Sequence, residues 1–262
     1  MQYWVTDSWT RVTARHHTRD VIIAAIDENS IGILGPWPWP RELYARLVRV
    51  LSGAGARAIG LDLILDRPRP GDSILAAAIS ASKRVVLTVS ADENIGHLMD
   101  GEGLYVEHVI LPSPSLAEAA GSLGHIALIY DGDGVIRHLP TFISDISDQK
   151  RIFPAFGIAV AAVAANIDRH EILLSPKRLK LGDMIIPLDQ QDRLWIRYQG
   201  EPGSFPSVSA ADVLTGRIPR EVFRDKVVLI GVTSTGLADS WTTPFASSGG
   251  MYGAEVHANI VE

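Results

Sequence analysis

Cysteine is absent from the 262 residues of the chain. Disulfide bridges, thiolate metal ligands and cysteine nucleophiles are therefore excluded. The chain also lacks a run of the roughly 20 apolar residues that a membrane-spanning helix needs. Its richest apolar stretch, Phe153 to Ile167, is shorter and ends at Asp168 and Arg169. We interpret this stretch as a buried helix.

Basic residues form no cluster along the chain. The 24 Lys and Arg residues are outnumbered by 30 Asp and Glu residues, which gives a net charge of -6. Because nucleic-acid binding depends on a concentrated positive surface, we expect no nucleic-acid partner. Glycine and proline are scattered as turn residues rather than gathered in a low-complexity segment.

Common catalytic motifs are missing as well. The sequence has no G-x-S-x-G turn and no H-E-x-x-H helix. Asp131 and Asp133 resemble the start of a calcium loop, but the position that needs the closing glutamate holds Phe142. We interpret 131–134 as the turn of a β-hairpin with strands at 125–130 and 135–139. The sequence thus predicts neither an enzyme nor a bound metal or cofactor.

Strand patterns and helix patterns alternate in the first third of the chain. Strands are predicted at 21–26, 58–65 and 84–89, and helices at 40–52 and 72–82. Such alternation with short connections predicts parallel strands joined by right-handed crossovers. The fold class is therefore α/β, a mixed sheet with a parallel βαβαβ core, flanking helices and an antiparallel meander insertion.

The domain organisation follows from where these patterns change. The parallel core is expected at about 21–90 and 225–262, and the antiparallel insertion at about 105–200. We expect a single domain over 21–262, preceded by a separate N-terminal segment over 1–20.

Three acidic residues are predicted at the carboxyl edge of the parallel sheet. Asp27 follows the first strand, Asp62 lies in the second, and Asp239 lies in the loop after the last. Ligands of open α/β sheets bind at this edge, so these carboxylates are candidates for binding a ligand or a divalent cation. The alternative is that they cap helices and turns or pair with arginines.

Two tryptophans alternate with prolines between Gly35 and Arg41. Because proline fixes its own φ and restricts the preceding residue, Trp37 and Trp39 are held stiffly before a helix. They are candidates for lining a ligand pocket or an interface, and the alternative is a plug that seals one end of the sheet. Arg41 opposes the helix dipole, which indicates a specific acidic partner, Asp27 or Asp62.

His257 lies in a helix predicted to begin near Gly253. It could meet Asp239 at the sheet edge or be an ordinary packed histidine. Together with the three acidic residues of that edge, it would form the metal site of a hydrolase, which is one alternative function.

Short motifs run in order from about position 20 to position 262. They are Asp27–Ser30, Gly35–Arg41, Gly53–Ala56, Gly60–Asp62, Gly124–Ile126, Asp131–Arg137, Phe153–Phe156, Lys226–Gly231, Asp239, Thr243–Phe245 and Gly253–Asn259. As an ordered set they resemble the CHASE domain of the second type, a cyclase- and histidine-kinase-associated sensory extracellular domain.

The resemblance implies the extracytoplasmic sensor of a bacterial transmembrane receptor, with residues 1–20 close to the membrane. Membrane helices would flank it, and a cytoplasmic histidine kinase or nucleotide cyclase would complete the signal-transduction protein. It would bind an unidentified small ligand or periplasmic protein, act as a homodimer and relay the signal through the C-terminal helix. The expected ligand-binding residues are Asp27, Trp37, Trp39, Arg41, Asp62, Asp239 and His257. A dimerisation or protein-interaction module that uses the tryptophan loop is the second alternative.

Overall fold

A mixed sheet forms the centre of the molecule in a computed structural model that describes residues 7, 10, 20–91, 104–145, 151–245 and 249–262. The strands are β1 (Val21–Ile26), β2 (Ala58–Asp62), β3 (Val85–Ala91), β4 (Leu104–Val106), β5 (Val109–Ile110), β6 (Ser122–His125), β7 (His138–Pro140), β8 (Phe142–Asp145), β9 (Ile152–Pro154), β10 (Ile172–Ser175), β11 (Arg178–Leu181), β12 (Met184–Pro187), β13 (Arg193–Trp195), β14 (Ser207–Ser209), β15 (Val227–Val232), β16 (Ser240–Trp241) and β17 (Met251–Tyr252). The helices are α1 (Glu28–Leu34), α2 (Arg41–Gly53), α3 (Asp72–Ser82), α4 (Pro114–Ala119), α5 (Phe156–Ala164), α6 (Ala210–Thr215) and α7 (Gly253–Val261), with 3-10 helices at Arg169–Glu171 and Arg220–Phe223.

The central strands run parallel in the order β14-β1-β15-β2-β3-β6, and β5 pairs antiparallel with the end of β3. Every residue of β1 is buried, as is nearly all of β15 and β2. Helices on both faces of a parallel sheet exclude water from both sides, which explains why these strands are continuous apolar runs. The predicted α/β class with a parallel core is confirmed.

Two helical layers cover this sheet. The apolar face of α2 packs with α3 and α6 on one side, whereas α5 and α7 pack on the other. The second layer sits close to the strands: a Cβ added at Gly124 would lie 2.6 Å from the Cα of Phe156. Glycine is therefore required where β6 passes the start of α5. Within the part of the chain that the structure describes, no helix has both the length and the apolar character needed to cross a membrane.

Short antiparallel sheets build a second core against the outer side of α5. They are β10-β11-β12, β7-β13, β16-β17 and the pair β8-β9, to which β4 adds in parallel. Buried apolar residues from these strands and from the segments beside them meet there, among them Ile136, Leu139, Leu179 and Tyr198. Most of these strands lie within the range predicted for the antiparallel insertion, but β16 and β17 lie outside it, and β6 within it joins the parallel sheet.

The predicted pairing around 131–134 is wrong, although the turn itself is present. The N–H of Gly134 donates to the carbonyl of Asp131 at 2.8 Å. Residues 126–130 hold no strand, and β6 ends at His125, where it extends the parallel sheet beside β3. On the other side of the turn, β7 pairs with β13, which had been assigned to the meander. Pairing with an open edge of the parallel sheet prevails over the local hairpin signal.

Candidate functional site

The carboxylates of Asp62 and Asp239 come together at the carboxyl edge of the sheet. Burial, and then the charge of Asp239, raise the pKa of Asp62 to about 7. A Cβ added at Gly253 would lie 3.5 Å from Oδ2 of Asp62 and 3.6 Å from Nε1 of Trp241, so the start of α7 and an indole border this carboxylate. Neither carboxylate forms an ion pair or hydrogen bond with a described residue. The pair is therefore free to bind a ligand group that carries positive charge or N–H donors.

Asp27 lies at the same edge, but its carboxylate is engaged. Its Oδ1 accepts from the N–H of Ser30 and from Oγ of Ser209, both at 2.8 Å. It is thus the N-cap of α1, the alternative role considered for these acids. In the register of the sheet, β15 separates β1 from β2, which places Asp27 and Asp62 on strands roughly 10 Å apart.

Glu28 was not singled out in the sequence, yet it binds the loop that follows β15. The N–H of Thr235 donates to its Oε1 at 2.7 Å, and this hydrogen bond lowers the pKa of Glu28. The loop at 231–236 is therefore tied to the start of α1 by a carboxylate. An acid next to a strand end was the available signal, but its partner is 207 residues away in sequence.

The two tryptophans pack against α2 rather than standing apart. Trp39 is 2% exposed, and its Nε1 donates to the carbonyl of Gly35 at 2.9 Å. The ring centroids of Trp37, Trp39 and Tyr44 lie 6.1 Å from one another. Trp37 is half-buried at the outer side of this trio. This packing resembles the plug that was the alternative role of the two tryptophans. It leaves little indole surface exposed for an interface.

The expected acidic partner of Arg41 is wrong. Its Nε donates to Oδ1 of Asp72 at 2.8 Å, and Oδ2 of the same carboxylate accepts a hydrogen bond from Oγ of Ser113 at 2.7 Å. The reason is that α2 packs beside α3, so Asp72 at the start of α3 is closer to Arg41 than the acids of the sheet edge. Burial opposes ionisation of Asp72, but the hydrogen bonds from Ser113 and Arg41 prevail and lower its pKa.

His257 is buried in α7, with its ring centroid 5.2 Å from that of Phe156. Burial lowers its pKa to about 4. Burial and the nearby His257 lower the pKa of His125, at the end of β6, to about 3. Neither ring nitrogen of His125, nor Nδ1 of His257, has a hydrogen-bond partner among the described residues. The structure thus contains a pair of neutral core histidines, and their proximity could not be read from the sequence because they are 132 residues apart.

The opposite face of α7 binds a loop through two polar side chains. Oε1 of Glu255 accepts from the N–H of Gly203, and Oδ1 of Asn259 accepts from the N–H of Gln199, both at 2.7 Å. Glu255 and Asn259 therefore share a face of the helix, as their spacing predicts. Their role here is to fix the segment 199–203.

A buried arginine gathers the acids of the 131–134 turn. Arg137 is 1% exposed and pairs with Asp131 at 3.0 Å and with Asp133 at 2.8 Å. Its guanidinium also forms a two-pronged pair with Asp7, at 2.6 and 2.8 Å. The hydrogen bonds that the guanidinium donates, first to Asp7 and then to Asp133 and Asp131, raise the pKa of Arg137 above its usual range. The sequence indicated only a turn here, although a buried arginine nearly always needs carboxylate partners.

The described ranges contain no candidate metal-binding site. No group of three or more His, Asp and Glu side chains in them is arranged to hold a metal ion. Of the four residues assigned to a metal-assisted hydrolase, Asp27 caps a helix and His257 faces Phe156. Asp62 and Asp239 alone among the four are shown to interact.

The family model for the CHASE2 domain matches residues 1–262, the whole chain. The chain is a CHASE2 domain. Such domains are extracellular sensory domains of signalling membrane proteins, and they are not catalytic. The family suggested by the ordered motifs is therefore confirmed.

Similarity of the CHASE2 domain to other proteins is limited. It is 29% identical over 96 residues to an adenylosuccinate synthetase of Phytophthora infestans (strain T30-4). That match covers 36% of this chain and 16% of the synthetase, so the chain spans a small part of the curated relative it matches. No solved structure matches the chain.

Several motifs that suggested the family lie at structural junctions of this CHASE2 domain. Asp27 caps α1, Trp39 closes the aromatic trio beside α2, and Arg137 joins Asp7 to the 131–134 turn. These positions hold the architecture together, whereas the carboxylates of Asp62 and Asp239 have no partner in the part of the chain that the structure describes.

Proposed function

We propose that this CHASE2 domain is the extracytoplasmic sensor of a bacterial transmembrane receptor with a histidine kinase or nucleotide cyclase as output. One observation supports it most: the residue before β1 and the residue after α7 lie side by side. The N–H of Asp20 donates to Oε1 of Glu262 at 3.3 Å. A membrane segment that follows α7 would therefore begin beside the first strand of the parallel sheet, in direct contact with the core of the domain.

The packing of α7 supports a role in relaying the signal. A Cβ added at Gly157 would lie 2.6 Å from Cβ of Ile260, and one added at Gly231 would lie 2.7 Å from Cβ of Ala254. Helix α7 is thus in close contact with both α5 and β15. Because such interfaces have low compressibility, a shift of the sheet would move α7 with it. A ligand drives this shift only if it binds the two arrangements with different affinities.

The stimulus is a small ligand or a periplasmic protein, and the receptor acts as a homodimer. Among the predicted ligand-binding residues, Asp62 and Asp239 are assigned direct contact, because their carboxylates have no partner among the described residues. Trp37, Trp39, Arg41, Asp27 and His257 are assigned supporting positions around that edge, since their functional groups are packed or paired.

The location can be tested with one introduced cysteine. The chain has none of its own, and Lys180 is exposed on β11. In the receptor expressed from its complete gene, we expect Lys180→Cys to react with a membrane-impermeant maleimide on spheroplasts. Reaction solely after detergent permeabilisation would place the domain in the cytoplasm and overturn the proposal.

The relay can be tested at the contact between α5 and α7. Gly157→Ala pushes on Ile260, so we expect the basal kinase or cyclase output of the complete receptor to change at least two-fold. Gly132→Ala is the matched control, because a Cβ there meets nothing within 4 Å. Ile260→Val loosens the same contact and serves if Gly157→Ala lacks the native circular dichroism. Equal output from wild type and all these variants would reject the relay through α7.

A further inference from the structure

A cleft opens where the parallel sheet meets the second core. Among the described strands, β6 pairs with β3 on one side and β9 pairs with β8 on one side. The remaining edges of β6 and β9 face each other and are joined by a single parallel bridge, His125 to Ala155. Before that bridge the strands separate around a cavity of about 650 Å³. This volume lies in the range of small-molecule sites.

The walls of the cleft are apolar, with a polar rim. Leu123, Phe142, Phe153, Ile172 and Leu174 contribute apolar surface. The polar residues Ser122 and Ser144 also line it. A few polar groups in a mainly apolar cavity are what orient a small organic ligand.

The rim of the cleft carries a cationic side chain, Arg169, that has no ion-pair partner among the described residues. Arg169, in the 3-10 helix beside the cleft, forms no ion pair or side-chain hydrogen bond with a described residue. The acids flanking it are occupied, since Oδ1 of Asp168 accepts from the N–H of His170 and Oε1 of Glu171 accepts from the N–H of Asp168. In a chain of net charge -6, an unpaired guanidinium beside an apolar cavity selects for an anion.

The mouth of the cleft leaves apolar side chains in water. Ile152 on β9 is 51% exposed and Leu173 on β10 is 50% exposed. Both belong to strands at the edge of their sheets. An occupant with an apolar body would cover them, which gives a hydrophobic contribution in addition to the contact with Arg169.

We propose that the cleft between β6 and β9 binds a small organic anion, a carboxylate or sulfonate on an apolar body, with Arg169 as the anion contact. This site is separate from the carboxyl edge at Asp62, and its role as a signal input rests on the proposed sensor function. Occupancy fixes the separation of β6 and β9, and thereby the position of the parallel sheet relative to the second core.

The test uses 8-anilinonaphthalene-1-sulfonate, a fluorescent sulfonate with an apolar body, and the 262-residue chain. We expect saturable binding with one dye per chain. Arg169→Gln should raise the Kd about five-fold or more, the effect of losing one charge-assisted hydrogen bond. Ala117→Trp, which fills the cleft from α4, should abolish binding. Arg178→Gln, an exposed arginine on β11 outside the cleft, is the matched control and should leave the Kd unchanged.

Competition then defines the ligand class. Octanoate should displace the dye at a concentration at least five-fold lower than octanamide, which has a similar apolar chain without the charge. Ala120→Phe, on the same wall, replaces Ala117→Trp if the latter lacks native circular dichroism. Dye binding that survives both filling variants overturns the site, and an unchanged Kd in Arg169→Gln overturns the anion contact. These outcomes leave the sensor proposal intact, whereas cytoplasmic labelling of Lys180→Cys would overturn the sensor and not the site.

Discussion

The acids around Arg137 and the acids at the carboxyl edge of the sheet lie in different electrostatic surroundings. Around Arg137, each carboxylate faces a guanidinium at 2.6–3.0 Å, and Asp131 also contacts Nδ1 of His138 at 2.9 Å. At the edge, Asp62 faces Asp239, which raises its pKa further above the value that burial sets. One region compensates its charges internally, whereas Asp62 and Asp239 have no ion-pair or hydrogen-bond partner among the described residues.

The difference shows what each region contributes. A compensated cluster links segments that are distant in sequence, here Asp7, the 131–134 turn and Arg137. An uncompensated pair stabilises little, and the pKa of Asp62 lies at about 7, a kind of shift that is common at binding sites. The contrast can be tested by removing the cation from the first region and the charge from the second.

The largest effect is expected when the buried cation is removed. Arg137→Met leaves Asp131, whose side chain is 3% exposed, with only the more distant guanidinium of Arg193 at 3.7 Å among its arginine partners in the described residues. Breaking a buried ion pair from one side costs about 3–5 kcal/mol. We expect a loss of this size in the free energy of unfolding, measured in urea at pH 7.

The matched control is Arg217→Met, which breaks the Arg217–Asp212 pair at 3.0 Å on the surface, where the arginine side chain is 63% exposed. Exposed pairs contribute below about 1 kcal/mol. If both variants lose the same stability, burial of the Arg137 cluster has no energetic consequence, and the comparison fails.

The core histidines should give the next largest effect, and it depends on pH. The pKa values of His125 and His257 in the folded chain are about 3 and about 4, below the ordinary value near 6.5. The unfolded chain therefore binds more protons below pH 6.5, and stability falls as the pH drops toward 4. His125→Leu should reduce the loss of stability between pH 7 and pH 5 by about 2 kcal/mol.

Urea unfolding at the two pH values measures this effect. His170→Leu is the control, because that ring is exposed. If wild type and His125→Leu lose the same stability between pH 7 and pH 5, protonation of His125 is not the cause of the loss.

The smallest effect is expected at the carboxyl edge, and its sign is opposite. The pKa of Asp62 is raised to about 7, so its contribution is present below about pH 4 and is lost as the pH rises through 7. Asp62→Asn does not titrate, and because the site is half-exposed we expect it to gain about 1 kcal/mol on wild type between pH 5 and pH 7.5. Thermal unfolding at the two pH values measures the gain.

Asp239→Asn provides the control for the neighbouring charge. It should lower the pKa of Asp62 and reduce the pH dependence of the wild type, without abolishing it, because burial is the larger cause. A gain in Asp62→Asn that is the same at both pH values would contradict the assigned pKa.

Local patterns predicted the central strands and helices well. The apolar runs that became β1 and β15 need no knowledge of their partners, because burial on both faces dictates their composition. The amphipathic spacing in α2 likewise predicted which residues are buried, including Leu47 and Leu51. These elements follow from side-chain periodicity alone.

Contacts between distant segments were harder to predict. Arg41 pairs with Asp72, 31 residues away, because two helices pack side by side. Strand β6 joins β3 because that edge of the sheet is available, which a local turn signal does not report. At the candidate site, order along the chain placed Asp62 and Asp239 at one edge, but it did not distinguish them from Asp27, whose serine partners come from α1 and β14.

The contact between Asp20 and Glu262 also has an engineering consequence. Since β1 starts beside the end of α7, a linker of a few residues would join Glu262 to Asp20 and close residues 20–262 into a ring, with loss of the Asp7–Arg137 pair. New ends opened in the turn at 182–183, between β11 and β12, would give a circular permutant with the same core. For the same reason the domain is suited to insertion into a surface turn of an unrelated host protein, as a module attached at one point.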